Sequence, residues 1–294
     1  MADGVSAQGR GAFASPIYDP LREWLDKLPP GSVPRPDELN ALCSPAPLSG
    51  AGVPIRFVRP QAARSRTFAD HFEVRTYLRG EIAVREGSWH DLFNALAWLA
   101  FPRTKAAINR RHFAELEHER RERGLTEHEA FSPKGKRSAS RDTLTLFDES
   151  GIIVASPCAE LLDLIRLRQW KTLFWTRRPE VRQQIRFFVL GHALHEKAMQ
   201  SYKGMTARAL MLPVSVSFLE QSSARQIEYI DEWAARYMGL PTSLESKLTL
   251  SNLPALSHLP VMGIPDWDKN ATAAFYDDAE VFRQSSGIRS GDRV

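Results

Sequence analysis

The sequence predicts a predominantly helical α+β protein: a helical core, two short β-hairpins on one side of it, and a proline-rich C-terminal tail wrapped around both. Three observations lead there. Several long stretches repeat apolar side chains at three- and four-residue spacing, the pattern of a helix with a buried face. Two short stretches place apolar residues on either side of turn chemistry at Gly80 and Gly151, the pattern of hairpins. Beyond Gly239 the periodicity is lost and prolines recur, yet Leu253, Leu259, Ile264, Trp267, Tyr276 and Phe282 are too apolar for free coil.

Residues 1–16, rich in Gly, Ala and Ser, are expected to be disordered, as are residues 284–294. One globular domain is left over 17–283. Leu21, Trp24, Leu25 and Leu28 outline a short amphipathic helix that PPGSVPRP breaks; residues 37–43 form a second, and 54–58 read as extended. HFEVRTYLRGEIAVREG sets Phe72, Val74 and Tyr77 before Gly80 and Ile82 and Val84 after it, the first hairpin. Ser88 and Asp91 have capping-box spacing and open an apolar helix over 88–101. Pro102 ends that helix and takes the first position of the next. Residues 120–140 are charged, then basic and serine-rich, and read as an exposed loop. In RDTLTLFDESGIIV, Leu144 and Leu146 share a strand face with Asp142 and Asp148, which gives the second hairpin. Ser156 and Pro157 open a helix to about residue 168, and another covers 169–176. Pro179 opens a long helix through about residue 200. Residues 211–218 are an edge strand or extended turn, and 221–238 a last helix stopped by Gly239 and Pro241.

The chain has 294 residues, 43% hydrophobic and 25% charged, enough to bury a sizeable core. A net charge of +4 is too small to argue for nucleic acid. Lys134, Lys136 and Arg137, in the basic loop 133–141, could touch a polyanion but read better as a solvated loop. Cys43 and Cys158 give no disulfide framework and no zinc-ligand spacing, which fits a reducing, cytoplasmic compartment. No signal-peptide pattern opens the chain. Its longest apolar run, 92–101, is far short of the roughly 20 residues of a membrane helix. Cofactor and oligomeric state cannot be read.

The strongest chemical candidate is GHALHEK, residues 191–197. His192 and Glu196, four apart on one helix face, could form an acid–base pair in which the carboxylate orients the imidazole. They could also be two metal ligands, with a third from His90 or Asp142. The order is not that of the zinc proteases, and no metal set is assigned. His90 and Asn94 lie one turn apart on the apolar helix and need buried partners. Lys105, Asn109 and His112 make a polar stripe on the next helix, with Lys105 and His112 read as solvated. Arg141 and Asp142 start a strand directly after a loop, and Lys203 follows a helix end. Convergence of His90, Arg141, His192 and Lys203 would make a cationic cleft suited to a phosphate or carboxylate. The chemistry is accordingly assigned to His90, Asp142, His192 and Glu196. Ligand binding falls to Asn94, Lys105, Asn109, Arg141 and Lys203. The expected activity is acid–base catalysis on an anionic small molecule. The alternative is a non-catalytic ligand-binding or scaffold protein whose polar motifs form a buried network. The Glu115–His118 spacing sits among charges on every face and reads as a solvated helix. There is no glycine-rich phosphate loop, dinucleotide fingerprint or nucleophile elbow.

WHDLFNALAWLAFPRTKAAIN, RDTLTLFDESG, GHALHEK with YKGMTARALML, and LPVMGIPDWDKN with FYDDAEVF occur in that order between about Pro54 and Phe282. In these motifs the chain resembles the bacterial family known as "domain of unknown function 3025". The resemblance implies a bacterial cytosolic protein and carries no activity. It singles out Trp89, His90, Asp91, Asn94, Lys105, Asn109, Arg141, Asp142, Asp148, Gly191, His192, Glu196, Lys197, Lys203 and Gly204. Asp266 and Asp268 flank Trp267 where the family pattern is more apolar and contains glycine.

Overall fold

The computed structural model describes residues 13–29, 31–60, 67–129, 139–239 and 256–283. A 3₁₀ turn (Pro16–Leu21) leads into α1 (Arg22–Leu25) and α2 (Pro36–Ala41). Then come β1 (Arg56–Val58), α3 (Phe72–Arg79), β2 (Glu81–Ala83), α4 (Trp89–Ala100), α5 (Pro102–Glu122) and α6 (Ala139–Ser150). The second half holds β3 (Gly151–Ser156), α7 (Ala159–Arg166), a π turn (Thr172–Thr176), α8 (Arg178–Gln184), β4 (Arg186–Val189) and α9 (His192–Ala198). It closes with β5 (Thr206–Pro213), α10 (Val216–Leu219), α11 (Ser223–Gly239) and β6 (Ser257–Pro260). The fold is mostly helical α+β, as the sequence predicts. Phe13 already packs on Tyr18, with ring centroids 5.0 Å apart, so ordered packing reaches into the segment expected to be disordered. The Lys134–Arg137 cluster and residues 284–294 lie outside the described residues.

Neither expected hairpin forms. Residues 72–79 are the helix α3, capped by His71, whose ring nitrogen accepts from the Glu73 N–H. Gly80 follows at φ +66°, the left-handed residue after the last helical turn. A turn at Gly80 was expected; that it closes a helix and not a hairpin was not, and the positive φ expected at Gly151 does not occur there. β2 then pairs in parallel with β1. In the second case, Leu144 and Phe147 are fully buried while Leu146 is 40% exposed, a helical and not an alternating pattern. Gly151 sits where a Cβ would come within 2.3 Å of the Phe147 carbonyl oxygen, so α6 can turn straight into β3.

The long helix expected through residue 200 is three elements: α8, β4 and α9. The run IRFFVL was ambiguous between helix and strand, as short apolar runs are. The sheet decides it. β4 pairs antiparallel with β3, Ile152 opposite Val189, and completes the order β4-β3-β5-β6. β3 and β5 form a parallel central pair, with Ile153 opposite Leu210, and every residue of β3 is buried. The segment read as an edge strand or turn, 211–218, supplies the end of β5 and then α10.

The main apolar core runs from Ile17 and Tyr18 through Leu92, Phe93, Ile153 and Leu210 to Tyr276 and Phe282, and a smaller cluster of Phe68, Val74 and Leu116 joins α3 to α5. The tail is tied down by Arg178, which donates to the Asn270 side chain (2.9 Å) and to Asp266 (3.1 Å). Arg182 holds Asp266 bidentately, at 2.8 and 2.7 Å. Asp266 thus answers two arginines, which accounts for an acid in that segment. Among the described residues no helix is long and apolar enough to cross a membrane.

Candidate functional site

Residues of α3, β2, α4, α5, α6 and α9 line a cavity of about 480 Å³. Ser88 caps α4, its hydroxyl accepting the Asp91 N–H at 3.2 Å, and so fixes His90 in the first turn. Asp91 does not reach back to complete a capping box. Its carboxylate instead takes the Arg85 guanidinium bidentately, both contacts at 2.8 Å, and the Arg85 N–H as well. Burial works against that charge, but the Arg85 bonds prevail and hold the carboxyl below its usual range. Gly191 precedes α9 where a Cβ would stand 2.5 Å from the Ser150 Cα and 2.6 Å from the Glu149 carbonyl oxygen. That close approach of backbones brings His192 against the end of α6.

The geometry pairs the expected residues differently. Glu196 does not orient His192. Its Oε2 lies 2.8 Å from Nδ1 of His90, on the neighbouring helix. His192 presents Nδ1 to the Asp148 carbonyl oxygen at 2.8 Å, with an Asp148 carboxylate oxygen at 3.5 Å. The two imidazoles meet through their Nε2 atoms, 3.2 Å apart. A carbonyl oxygen can only accept, so His192 carries its proton on Nδ1. The Glu196 carboxylate fixes the same tautomer in His90. Burial pushes the His192 pKa down to about 4, so this ring is neutral at physiological pH. His90 is the accessible member, with 36% of its side chain exposed.

Behind the pair lies a buried charge network. Lys105, Asn109 and His112, the stripe read as partly solvated, all face inward. The Lys105 ammonium donates to the Asp148 carboxylate (2.5 Å) and to the Asn94 side-chain oxygen (2.9 Å). Burial opposes the Asp148 charge, and the Lys105 ammonium with the nearby imidazoles outweighs it, so the carboxyl sits below its usual range. Asn109 donates to the Glu73 carboxylate at 2.8 Å. His112 lines the cavity, and its buried Nδ1 has no hydrogen-bond partner among the described residues.

His90, Asn94, Arg141 and His192 therefore reach one cavity, with Asp91, Asp148 and Glu149. Lys105 and Glu196 stand directly behind it. Asp142 and Lys203 do not join them. Asp142 is exposed on α6 and outside the lining. Lys203 pairs with Asp278 at 2.8 Å and lies over the rings of Phe275 and Phe282. The strand reading of 141–150 explains the first misplacement. A strand puts Asp142 and Asp148 on one face, whereas a helix puts Arg141, Thr145 and Asp148 there, and those three line the cavity. A helical count over that segment would have found Asp148 and Glu149 and set Asp142 aside. His71, Glu73 and Arg85, also lining residues, carried no local signal. The expected cationic cleft is not assembled. The wall holds the carboxylates of Glu73, Asp91, Asp148 and Glu149 against the guanidiniums of Arg85 and Arg141. His118 pairs with Glu122 on the surface, as a solvated helix requires.

Among the described residues no group of three or more His, Cys, Asp or Glu side chains is arranged to hold a metal ion. No curated protein and no solved structure matches the chain. A family model does match, over residues 55–286, and it spans every element that lines the cavity. The chain belongs to the family described as "Protein of unknown function (DUF3025)".

Proposed function

We propose that the protein is a cytoplasmic, bacterial enzyme that moves protons on a small polar molecule bound in this cavity, with His90 as general acid–base. The observation that carries the reading is the chain Glu196–His90–His192, which opens onto a cavity of small-ligand size. Glu196 holds Nδ1 of His90 and so orients the ring, with Nε2 as the acid–base atom. His192, held by Asp148 and made neutral by burial, is a positioning residue whose Nε2 faces that of His90 across 3.2 Å. Arg141 lines the cavity and is the side chain assigned to meet a carboxylate or phosphate. Asn94 and Asn109 act through Lys105 and Glu73. Two free cysteines support a reducing compartment.

The test combines binding with turnover. Small carboxylates and phosphate monoesters are titrated while the ¹⁵N resonances of the His90 ring are followed, and those that bind are assayed for conversion. His90→Gln should lower turnover about 10²- to 10⁴-fold with an unchanged thermal midpoint. Full activity in His90→Gln, or no compound of the panel shifting the His90 resonances, removes the catalytic reading.

The non-catalytic reading draws support from one observation. The Lys105–Asp148–His192 network is buried and mutually satisfied, as a structural core network would be. On that reading the His90 substitution changes no reaction and no ligand.

A further inference from the structure

The two Nε2 atoms of the histidine pair face each other with no donor assigned between them. Both Nδ1 atoms face acceptors: the Asp148 carbonyl oxygen at 2.8 Å and the Glu196 carboxylate at 2.8 Å. Both therefore carry their protons, and both Nε2 atoms turn bare lone pairs toward one another across 3.2 Å. Two lone pairs do not sit face to face at that distance unless something electron-poor lies between them. A proton can fill the place, and so can a metal ion.

We propose that the Nε2 atoms of His90 and His192 form a binding site for a divalent transition-metal ion of the zinc class, which takes the place of the proton between them. Four observations carry this. First, ligands at zinc–nitrogen distances of about 2.0–2.1 Å in a tetrahedral shell lie about 3.3 Å apart, close to the observed separation. Second, the rings stand at 76° with centroids 4.6 Å apart. That is too close for the collinear rings of a straight N–H···N bridge, so the two nitrogens face a point to one side of the line between the rings. Third, each ligand carries the outer support typical of metal-bound histidine, a carboxylate on one Nδ1 and a carbonyl on the other. Fourth, carboxylates stand close by: Glu196 holds His90, the Asp148 carboxylate lies 3.5 Å from His192, and Glu149 lines the same cavity. Imidazole pairs of this kind suit zinc, copper, nickel or iron and not magnesium or calcium.

The site has two protein ligands, and water completes the shell. This leaves open positions facing the cavity, where a bound molecule can reach the ion.

The experiment uses the full chain, stripped with a chelator and dialysed against Zn²⁺ or Co²⁺ at about pH 7.5. One ion per chain is expected, and the Co²⁺ form should show the visible absorption of a nitrogen-ligated, low-coordinate centre. His90→Ala should weaken Zn²⁺ binding at least tenfold, and Glu196→Gln about 10- to 100-fold through loss of the outer carboxylate. His90 is part-exposed, so His90→Ala keeps the test informative if a His192 variant fails to fold. No retained ion at 100 µM free Zn²⁺, or equal retention in wild type and His90→Ala, overturns the proposal; the second outcome marks surface binding. The acid–base reading rests on the metal-free protein and on His90 resonances and turnover, so either can fail without the other.

Discussion

Replacing Lys105 with Met tests whether the charge network behind the cavity is what holds His192 in place. The Lys105 side chain is 5% exposed and that of Asp148 17%, with 2.5 Å between ammonium and carboxylate. Methionine keeps the stem and its packing near Trp98 but strands the Asp148 charge. Removing one partner of a fully buried pair costs about 3–5 kcal/mol. Because Asp148 retains some exposure, the lower end, about 3 kcal/mol, applies at pH 7.5. The pH dependence follows from the sign of the shift. In the wild type the Asp148 carboxyl is held below its usual range, so its contribution is present above about pH 4 and is lost as pH falls through the lowered value. Without the ammonium, burial dominates and the carboxyl rises above its unfolded value. The variant then recovers relative to wild type on acidification. Adding Asp148→Asn removes the stranded charge and leaves the backbone carbonyl that holds His192. The double variant should regain about 2 kcal/mol over Lys105→Met alone. Urea unfolding followed by tryptophan fluorescence at pH 7.5 and 5.0 measures all four members of the cycle. A loss below about 1 kcal/mol for Lys105→Met, or simple additivity in the double variant, would show that the pair is solvated and that the network does not order the site.

Gly191→Ala should cost at least about 2 kcal/mol and displace His192, because its Cβ meets backbone atoms at 2.5–2.6 Å; a wild-type urea midpoint would contradict the close approach. His195 is fully buried, and burial pushes its pKa down to about 3 against about 6.5 unfolded. Its contribution is intact above about pH 6.5 and falls by about 1.4 kcal/mol per pH unit below it. His195→Gln should therefore flatten the stability loss between pH 6.5 and 5 by about 2 kcal/mol, and an unchanged slope would count against the shift. His192→Ala strands the Asp148 carbonyl and leaves a cavity, so chemical denaturation should register a loss of about 2–3 kcal/mol. Asp142→Ala, on the exposed face of α6, should stay within about 0.5 kcal/mol of wild type and leave ligand binding unchanged; a large effect on either would reopen its place in the site.

Local chemistry was legible wherever one residue's own preference decided the outcome. Ser88 starts α4, Pro102 separates α4 from α5, and Gly239 ends α11, each for backbone reasons that neighbours do not override. Asn94 and His90, placed on an apolar helix, were bound to find partners, and they did. The period of short segments was not legible. Residues 141–150 read as strand on two leucines, and 185–190 as helix on their apolar content. Both were settled by β3, which needed α6 to end at Gly151 and needed β4 as its antiparallel neighbour. The start of α5 shows the same limit. Phe101 offers it no side-chain cap, and Asp231 of α11 accepts the Arg103 and Thr104 N–H groups instead, at 3.0 and 2.8 Å.

The sequence by itself determined the class of the fold, the family, and the residues His90, Asn94, Arg141, His192 and Glu196 as candidates for one site. It did so because apolar periodicity, capping and ordered motifs are written in neighbouring positions. Which of those residues touch was decided only in three dimensions. Glu196 lies four residues from His192 and 106 from His90, yet its carboxylate meets His90. Sequence spacing fixes which face of a helix a side chain occupies. The packing of α4 against α9, and of both against α6, fixes what stands opposite that face, and at this site it set two imidazole nitrogens 3.2 Å apart.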